Sequence, residues 1–329
     1  MIGVGLVGLG EIGQVHLSAL RSSDHIQVSA LCDLDEERLN GSRRGEWLTT
    51  HFDQILERPD VEALDICLPH SMHAPLAIRA LESGRHVLLE KPMAMTVAEC
   101  DQVIAAAAAA DRVVGVSHNQ LFYEPHQMLS KMISDGSIGD LRTIRARLAI
   151  GGRYGSWRSD PSQAGGGLLI DAGVHRIYML QELGGPVVAV SANMDMPGME
   201  ESYSIILEFS CGAIGTIDAT YHGPAGLFDD QIEVVGTKAI LEVAGCEAQF
   251  EGFDDGPSLR QWSNGAWETL ETSDSWDRSV VKSVQAFFEA VSRGVTPRVD
   301  GVTGRSTVAV IEAAYKSARE GIRVELPFA

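Results

Sequence analysis

Gly8-Leu9-Gly10-Glu11-Ile12-Gly13, with Ile2, Val4, Leu6 and Val7 ahead of it and Val15, Leu17 and Leu20 behind, reads as strand, glycine turn and helix. A glycine-rich turn that opens a helix aims backbone N–H groups and the positive end of the helix dipole at one point, a cradle for a pyrophosphate. Gly8 permits the tight turn, Gly10 admits the phosphate, and Gly13 lets the helix pack against the strand. A second apolar run, Val28 to Cys32, ends at Asp33, at about the ~20-residue offset where an acidic side chain meets ribose hydroxyls.

Working outward, strand and helix signals alternate through the first third. Ala63 to Leu68 is a buried strand ending at Pro69, and His73 to Ser83 a helix closed by Gly84. His86 to Leu89 is a strand stopping at Glu90-Lys91-Pro92, Thr96 to Ala110 a helix, and Arg112 to Val116 another strand. The alanine run Ala105 to Ala110 belongs to that helix, since alanine has the highest helix propensity. Such alternation predicts a doubly wound parallel α/β sheet whose ligands bind beyond the carboxyl ends of its strands. The pattern changes near Ser117 to Asn119. Leu141 to Ile150, Val187 to Met194, Tyr203 to Phe209, Ala213 to Tyr221, Gln231 to Val235, Lys238 to Val243 and Glu247 to Phe250 read as strands, with Gly212 and Gly236 at turns between neighbours. Helices over Val280 to Val291 and Thr307 to Ala318 close the chain. The predicted organisation is a dinucleotide-binding domain over 1–118 and an α+β domain over 119–329, with a mostly antiparallel, open-faced sheet.

Composition narrows the function classes. The 329 residues are 45% hydrophobic and 22% charged, a globular balance. A formal net charge of −19 excludes a nucleic-acid partner, which requires clustered Lys and Arg. Cys32, Cys67, Cys100, Cys211 and Cys246 are scattered, odd in number and without a C-x-x-C pair, so neither a disulfide framework nor a thiolate metal site is expected. His70 and His73 lack companions at metal-ligand spacing. The first strand begins at Ile2 with no leader ahead of it, and no apolar run is long enough to span a bilayer. A reducing cytoplasm is the expected compartment.

Lys91 follows a strand end directly, and Pro92 stiffens the turn after it. Its ammonium is either a surface charge or the group that stabilises a developing alkoxide. In Gly165-Gly166-Gly167-Leu168-Leu169-Ile170-Asp171-Ala172-Gly173-Val174-His175, three glycines lead into a helix on which Asp171 and His175 stand four apart, on one face. They read either as a helix cap and a core histidine, or as a carboxylate orienting a general base. Arg153, Tyr154, Trp157 and Arg158, on a glycine-bounded loop, suit a wall against a polar substrate or a subunit interface equally.

In order and spacing, the blocks Gly8/Gly10/Gly13, Pro69 with His73, Gly84-Arg85-His86-Val87 leading to Glu90-Lys91-Pro92, Trp157-Arg158 with Asp160-Pro161, and Gly165 to His175 resemble the Gfo/Idh/MocA family, the glucose-fructose oxidoreductase and inositol dehydrogenase group. The resemblance covers most of the chain. It implies a Rossmann domain carrying NAD or NADP, a C-terminal sheet that lines the substrate site and mediates a homodimer or homotetramer, and catalytic positions at Lys91, Asp171 and His175. The expected cofactor contacts are Gly8, Leu9, Gly10, Glu11, Ile12, Gly13, Asp33, Leu68, Pro69, His73, Glu90 and Lys91. The expected substrate contacts are Lys91, Asn119, Arg153, Tyr154, Trp157, Arg158, Asp171 and His175. One departure stands out: the segment Asn119 to Pro125 has Gln120, Leu121 and Phe122 where many relatives carry an arginine.

The expected reaction is oxidation of a secondary alcohol of a sugar, cyclitol or sugar acid, with hydride passing to nicotinamide and no metal. Asp33 favours NAD over NADP, because a carboxylate repels a 2′-phosphate, while Arg38, Arg43 and Arg44 lie near enough in sequence to soften the preference. Alternatives on the same scaffold are an NAD-dependent glycosidase with transient redox, a dinucleotide-binding sensor without catalysis, and a reductase of a linear tetrapyrrole or an imine.

Overall fold

The computed structural model describes residues 1–152, 155–244, 259–272 and 274–327. The chain divides into two compact units, one of Met1–Asn119 with Val280–Val308, the other of Gln120–Ser279 with Ala309–Ala329. It therefore crosses between units near residue 119 and again near 280 and 308.

In the first unit, strands β1 (Ile2–Val7), β2 (Ile26–Cys32), β3 (Trp47–Thr49), β4 (Ala63–Ile66), β5 (His86–Glu90) and β6 (Val114–Ser117) form one sheet. Its order is β3-β2-β1-β4-β5-β6, and every pairing is parallel. Between them run helices α1 (Glu11–Arg21), α2 (Glu36–Ser42), α3 (Phe52–Leu56), α4 (His70–Glu82) and α5 (Val97–Ala110). β1 and β4 are neighbours from which the chain winds in opposite directions, so the crevice at their carboxyl ends is where ligands of such sheets bind. The expected α/β class holds. Helix α5 starts as anticipated: Thr96 accepts the Glu99 N–H and Glu99 accepts the Thr96 N–H in a capping box, ahead of the alanine run. Helix α3 and the edge strand β3 were not anticipated; at three residues β3 carries too little periodicity to show. Helix α4 begins at His70 rather than His73, with Pro75 still inside it. Residues 280–308 belong to this unit because Val116 donates its N–H to the Val299 carbonyl and Gly115 bridges Asp300, extending the sheet edge at β6.

The second unit holds α6 (Glu124–Ser134), β7 (Leu141–Ile150), the short α7 (Pro161–Ala164), α8 (Val174–Gly184), β8 (Val187–Met194), β9 (Ser202–Phe209), β10 (Ile214–Thr220), β11 (Phe228–Gly236), β12 (Ile240–Ala244), β13 (Leu259–Ser263), β14 (Ala266–Thr269) and β15 (Val324–Glu325). Helices α9 (Trp276–Ser292) and α10 (Gly301–Glu320) each belong in part to both units. The sheet order is β14-β13-β12-β11-β7-β10-β9-β8-β15, antiparallel except where β7 and β10 run parallel. Register sorts its faces. Ile144, Ala146, Leu148, Ile205, Leu207, Ile217, Ala219, Ile232 and Val234 are buried, while Arg145, Arg147, Ser204, Ile206, Ile214, Asp218 and Glu233 point the other way. Each buried Ile, Leu or Val contributes about 1.5–3 kcal/mol. The mostly antiparallel, open-faced sheet agrees with expectation. Strands β13, β14 and β15 were not anticipated, and the strand expected over Glu247 to Phe250 lies outside the described residues. Among the described residues no helix is long and apolar enough to cross a membrane.

Candidate active site

Within the first unit, the glycine turn lies at the β1 exit. Gly8 has φ +95°, a Cβ on it would stand 2.2 Å from the Cys67 carbonyl oxygen, and a Cβ on Gly13 would stand 2.1 Å from that of Gly8. Both are close-approach positions that a side chain would break. Gly10, at the start of α1, has nothing within 4 Å of where a Cβ would be, so the helix N-terminus opens onto free space. That is the cradle a pyrophosphate requires: donors pointing outward and no side chain in the way. Leu9 is buried and Ile12 half-buried, while Glu11 is exposed in the first helical turn. Asp33 stands at the β2 exit, its carboxylate accepting the Leu9 N–H at 2.6 Å and the Asp35 N–H at 2.8 Å. These two bonds fix it beside the turn. Arg38 pairs with Asp35 at 3.3 Å.

Leu68 and Pro69 form the β4 exit, Pro69 standing at the N-terminus of α4. The His73 ring lies with Nδ1 2.7 Å from the Pro92 carbonyl and Nε2 2.8 Å from that of Leu68, tying the two strand exits together. Burial, more than any neighbour, holds its pKa below the ordinary value. At the β5 exit the Lys91–Pro92 peptide is cis, Lys91 is half-buried, and its N–H is donated to Glu90 Oε2 at 3.0 Å. The glycine turn, Asp33, Leu68, Pro69, His73, Glu90 and Lys91 thus share the carboxyl ends of β1, β2, β4 and β5.

Within the second unit, Asp171 lies in a π-helical turn, Leu169–Gly173, that leads into α8, where His175 is the second residue. Close approach explains the glycines before it. A Cβ on Gly166 would stand 2.2 Å from the Tyr315 hydroxyl, and one on Gly167 2.3 Å from the Glu200 carbonyl. The buried Glu200 carboxylate accepts the Leu169 N–H at 2.7 Å, the Gly198 N–H at 3.1 Å and the Tyr315 hydroxyl at 3.1 Å, anchoring the turn. Burial pushes the Glu200 carboxyl up from its ordinary value. Asp171, 5% exposed, receives Arg158 Nε at 3.2 Å on one oxygen and the Tyr221 hydroxyl at 3.2 Å on the other. Arg158 also lies over the Trp157 ring at 4.7 Å. The half-buried His175 places Nδ1 2.7 Å from the Tyr178 hydroxyl, which in turn accepts the Gln120 N–H at 3.2 Å. Behind it, Arg176 pairs with Asp230 in the core and reaches Gln120 Oε1 at 3.3 Å. Gln120, where relatives were expected to carry arginine, is a buried structural group.

The structure therefore groups Trp157, Arg158, Asp171 and His175 in one unit and Lys91 with the Gly8–Gly13 turn in the other. Asn119 is buried, at the end of the first unit. Arg153 and Tyr154 lie outside the described residues. Sequence reading missed Tyr178, Tyr221 and Glu200. Tyr178 lies three residues after His175 and was within reach of a helical-spacing argument; Tyr221 and Glu200 come from distant strands and loops that no local pattern links to Asp171.

Residues 2–118 match the family model described as the oxidoreductase family, NAD-binding Rossmann fold, and residues 130–326 match its C-terminal alpha/beta domain. A myo-inositol 2-dehydrogenase of Thermotoga maritima is 25% identical over 98% of both chains. A D-glucoside 3-dehydrogenase of Escherichia coli is 27% identical over 98% of this chain and 97% of its own. Among solved structures, GenD2 from gentamicin A biosynthesis, in complex with NAD, superposes with a TM-score of 0.86 at 25% identity, covering 99% of this chain and 97% of that one.

Proposed function

The chain belongs to the Gfo/Idh/MocA oxidoreductase family, and from that premise we propose that it is an NAD-dependent dehydrogenase oxidising a secondary alcohol of a sugar, cyclitol or sugar acid. The observation that carries the reading is the open Gly10 cradle at the β1/β4 switch, with Asp33 fixed beside it and Lys91 at the next strand exit. The relatives named for inositol and glucoside oxidation support the substrate class.

In this reading Gly8 to Gly13 hold the pyrophosphate, Asp33 receives the ribose hydroxyls, and Leu68, Pro69, His73 and Glu90 line the approach to the ring. Bound NAD supplies the hydride acceptor. The chain's own residues handle the proton and charge: His175 takes the hydroxyl proton, the Lys91 ammonium stabilises the developing alkoxide, and Asp171 orients the reacting groups. Because Nδ1 of His175 is committed to Tyr178, the proton is taken on Nε2. Arg158, Trp157 and Asn119, with Arg153 and Tyr154, contact the sugar, aromatic faces suiting its rings and guanidinium groups any carboxylate it bears. The open face of the second sheet forms a homodimer or homotetramer, and the compartment is the cytoplasm.

Two experiments test this. A panel of polyols, sugars and sugar acids, followed by NADH formation, is expected to contain at least one substrate; sugar release with no NADH accumulating would place the chain among hydrolases instead. Fluorescence titration is expected to show tighter NAD than NADP binding, with Asp33→Ala narrowing the gap; tighter NADP binding by the unaltered protein overturns the assignment.

A further inference from the structure

Behind the Glu90-Lys91-Pro92 turn, Glu90 joins two buried charged groups, His16 and Asp65, that the proposed mechanism leaves unused. His16, on α1 and fully buried, has Nδ1 2.9 Å from Asp65 Oδ2 and Nε2 3.2 Å from Glu90 Oε1. Asp65 is fully buried on β4, and Glu90 is 7% exposed at the end of β5. Glu90's other oxygen accepts the Lys91 N–H. Carboxylates only accept hydrogen bonds, so an imidazole facing one at each nitrogen donates twice and is an imidazolium. The three side chains thus form an alternating row, negative, positive, negative, that ends at the Lys91 backbone N–H, with the Lys91 ammonium near enough to help pull the Glu90 carboxyl down.

The groups around this row fit that charge pattern. Cys67, beside Asp65, has its thiol pushed up to about 12, chiefly by burial, and donates to Asp65 at 3.7 Å instead of adding a charge. His73, from α4, has its pKa lowered, chiefly by burial, while the Pro92 and Leu68 carbonyls and Glu90 raise it. His118, which follows β6, is fully buried and its pKa is pulled down to about 3, by burial first and then by the Lys91 charge. Glu90 is pulled below the ordinary carboxyl value: burial opposes this, and His16 with Lys91 overcomes it. Along the row itself, the charges of Asp65, His16, Glu90 and Lys91 cancel only while the lysine keeps its proton. Isolated charge at such depth costs several kcal/mol, so the balance has real weight.

We propose that Asp65, His16 and Glu90 are a buried positioning relay that fixes the Glu90-Lys91-Pro92 turn and holds Lys91 as the ammonium that its role toward the alkoxide demands. The mechanistic purpose rests on the proposed dehydrogenase reading; the relay itself is a property of the first unit. In Asp65→Asn the acceptor for Nδ1–H remains but the charge that makes His16 an imidazolium is gone. His16 then turns a bare Nε2 toward Glu90, Glu90 takes up the proton to donate back, and Lys91 loses its adjacent negative charge. A substitution two groups away therefore reaches the lysine without touching it.

The experiment follows acylation of Lys91 against pH in the protein without added nucleotide, by peptide mass spectrometry. The expected result is that Asp65→Asn and Glu90→Gln both make Lys91 react at lower pH, a shift on the order of one unit. A folded Asp65→Asn protein with an unchanged Lys91 profile overturns the relay. If that variant does not fold, Glu90→Gln decides by the same readout. Because acylation needs no turnover, a shifted profile in a protein that oxidises no polyol leaves the relay standing and the dehydrogenase reading fallen; an unshifted profile in an active dehydrogenase does the reverse.

Discussion

The surroundings of Lys91 and those of His175 are built from different materials. Lys91 stands at the end of a row of buried ions, Asp65, His16 and Glu90, whereas His175 leans on a neutral phenol, Tyr178, whose oxygen is held by a backbone N–H. Buried ions fix a charge state and make it depend on pH; a hydroxyl fixes orientation with little charge of its own. One unit is therefore suited to holding a cation in place, the other to turning an imidazole without committing its charge.

The largest expected effect separates the two in catalysis. Lys91→Ala is expected to lower kcat by about 10²–10³-fold, the range for removing a donor to a developing oxyanion, while NAD affinity by fluorescence stays near that of the unaltered protein. A near-normal rate on a substrate that the unaltered enzyme turns over would break the comparison at its first term.

Acid stability sharpens it next. His118 in the first unit and His126 in the second are both held at a pKa of about 3, mainly by burial, against 6.5 in the ordinary state. A depressed histidine stabilises the fold above its unfolded value, and that contribution is lost as pH falls from 6.5 toward 3, because the unfolded chain takes up the proton first. Between pH 7 and 5 each histidine is expected to withdraw about 2 kcal/mol, read as a lower denaturant midpoint. His16 works in the opposite sense. Its folded pKa is raised, burial being outweighed chiefly by the charge and hydrogen bond of Asp65, so its contribution is complete below 6.5 and is lost as pH rises through the raised value. Lys91→Ala relieves His118 and not His126, so it is expected to soften acid sensitivity in the first unit only.

The smallest expected effect is on the imidazole side. Tyr178→Phe is expected to reduce kcat about tenfold, the scale of one buried hydrogen bond, without changing NAD affinity. A loss as large as that of Lys91→Ala would mean that the phenol does more than orient.

Much of this was legible beforehand because the signals are local. A glycine turn between an apolar run and an amphipathic helix, an acid closing the second strand, and a Thr-x-x-Glu box ahead of an alanine run each encode their structure within a few residues. The short strands β3 and β15 escaped because two or three residues show no period. His16 was overlooked for another reason: it stands on the face of α1 that packs inward, and nothing in its neighbourhood announces that Asp65 and Glu90, 49 and 74 residues away, will meet its two nitrogens.

The sequence by itself determined the alternation of strand and helix and the place of the glycine turn, since each depends on side-chain period or on what glycine allows locally, while the candidate lysine, aspartate and histidine came from the family resemblance. Tertiary structure alone decided which groups accompany them. Glu200 under the Asp171 turn, Tyr221 on Asp171, and the Asp65–His16–Glu90 row under Lys91 arise where separate strands and helices bring distant residues within 3.2 Å. Burial then makes those meetings count, because a polar group removed from water must find its partner wherever the fold has placed one.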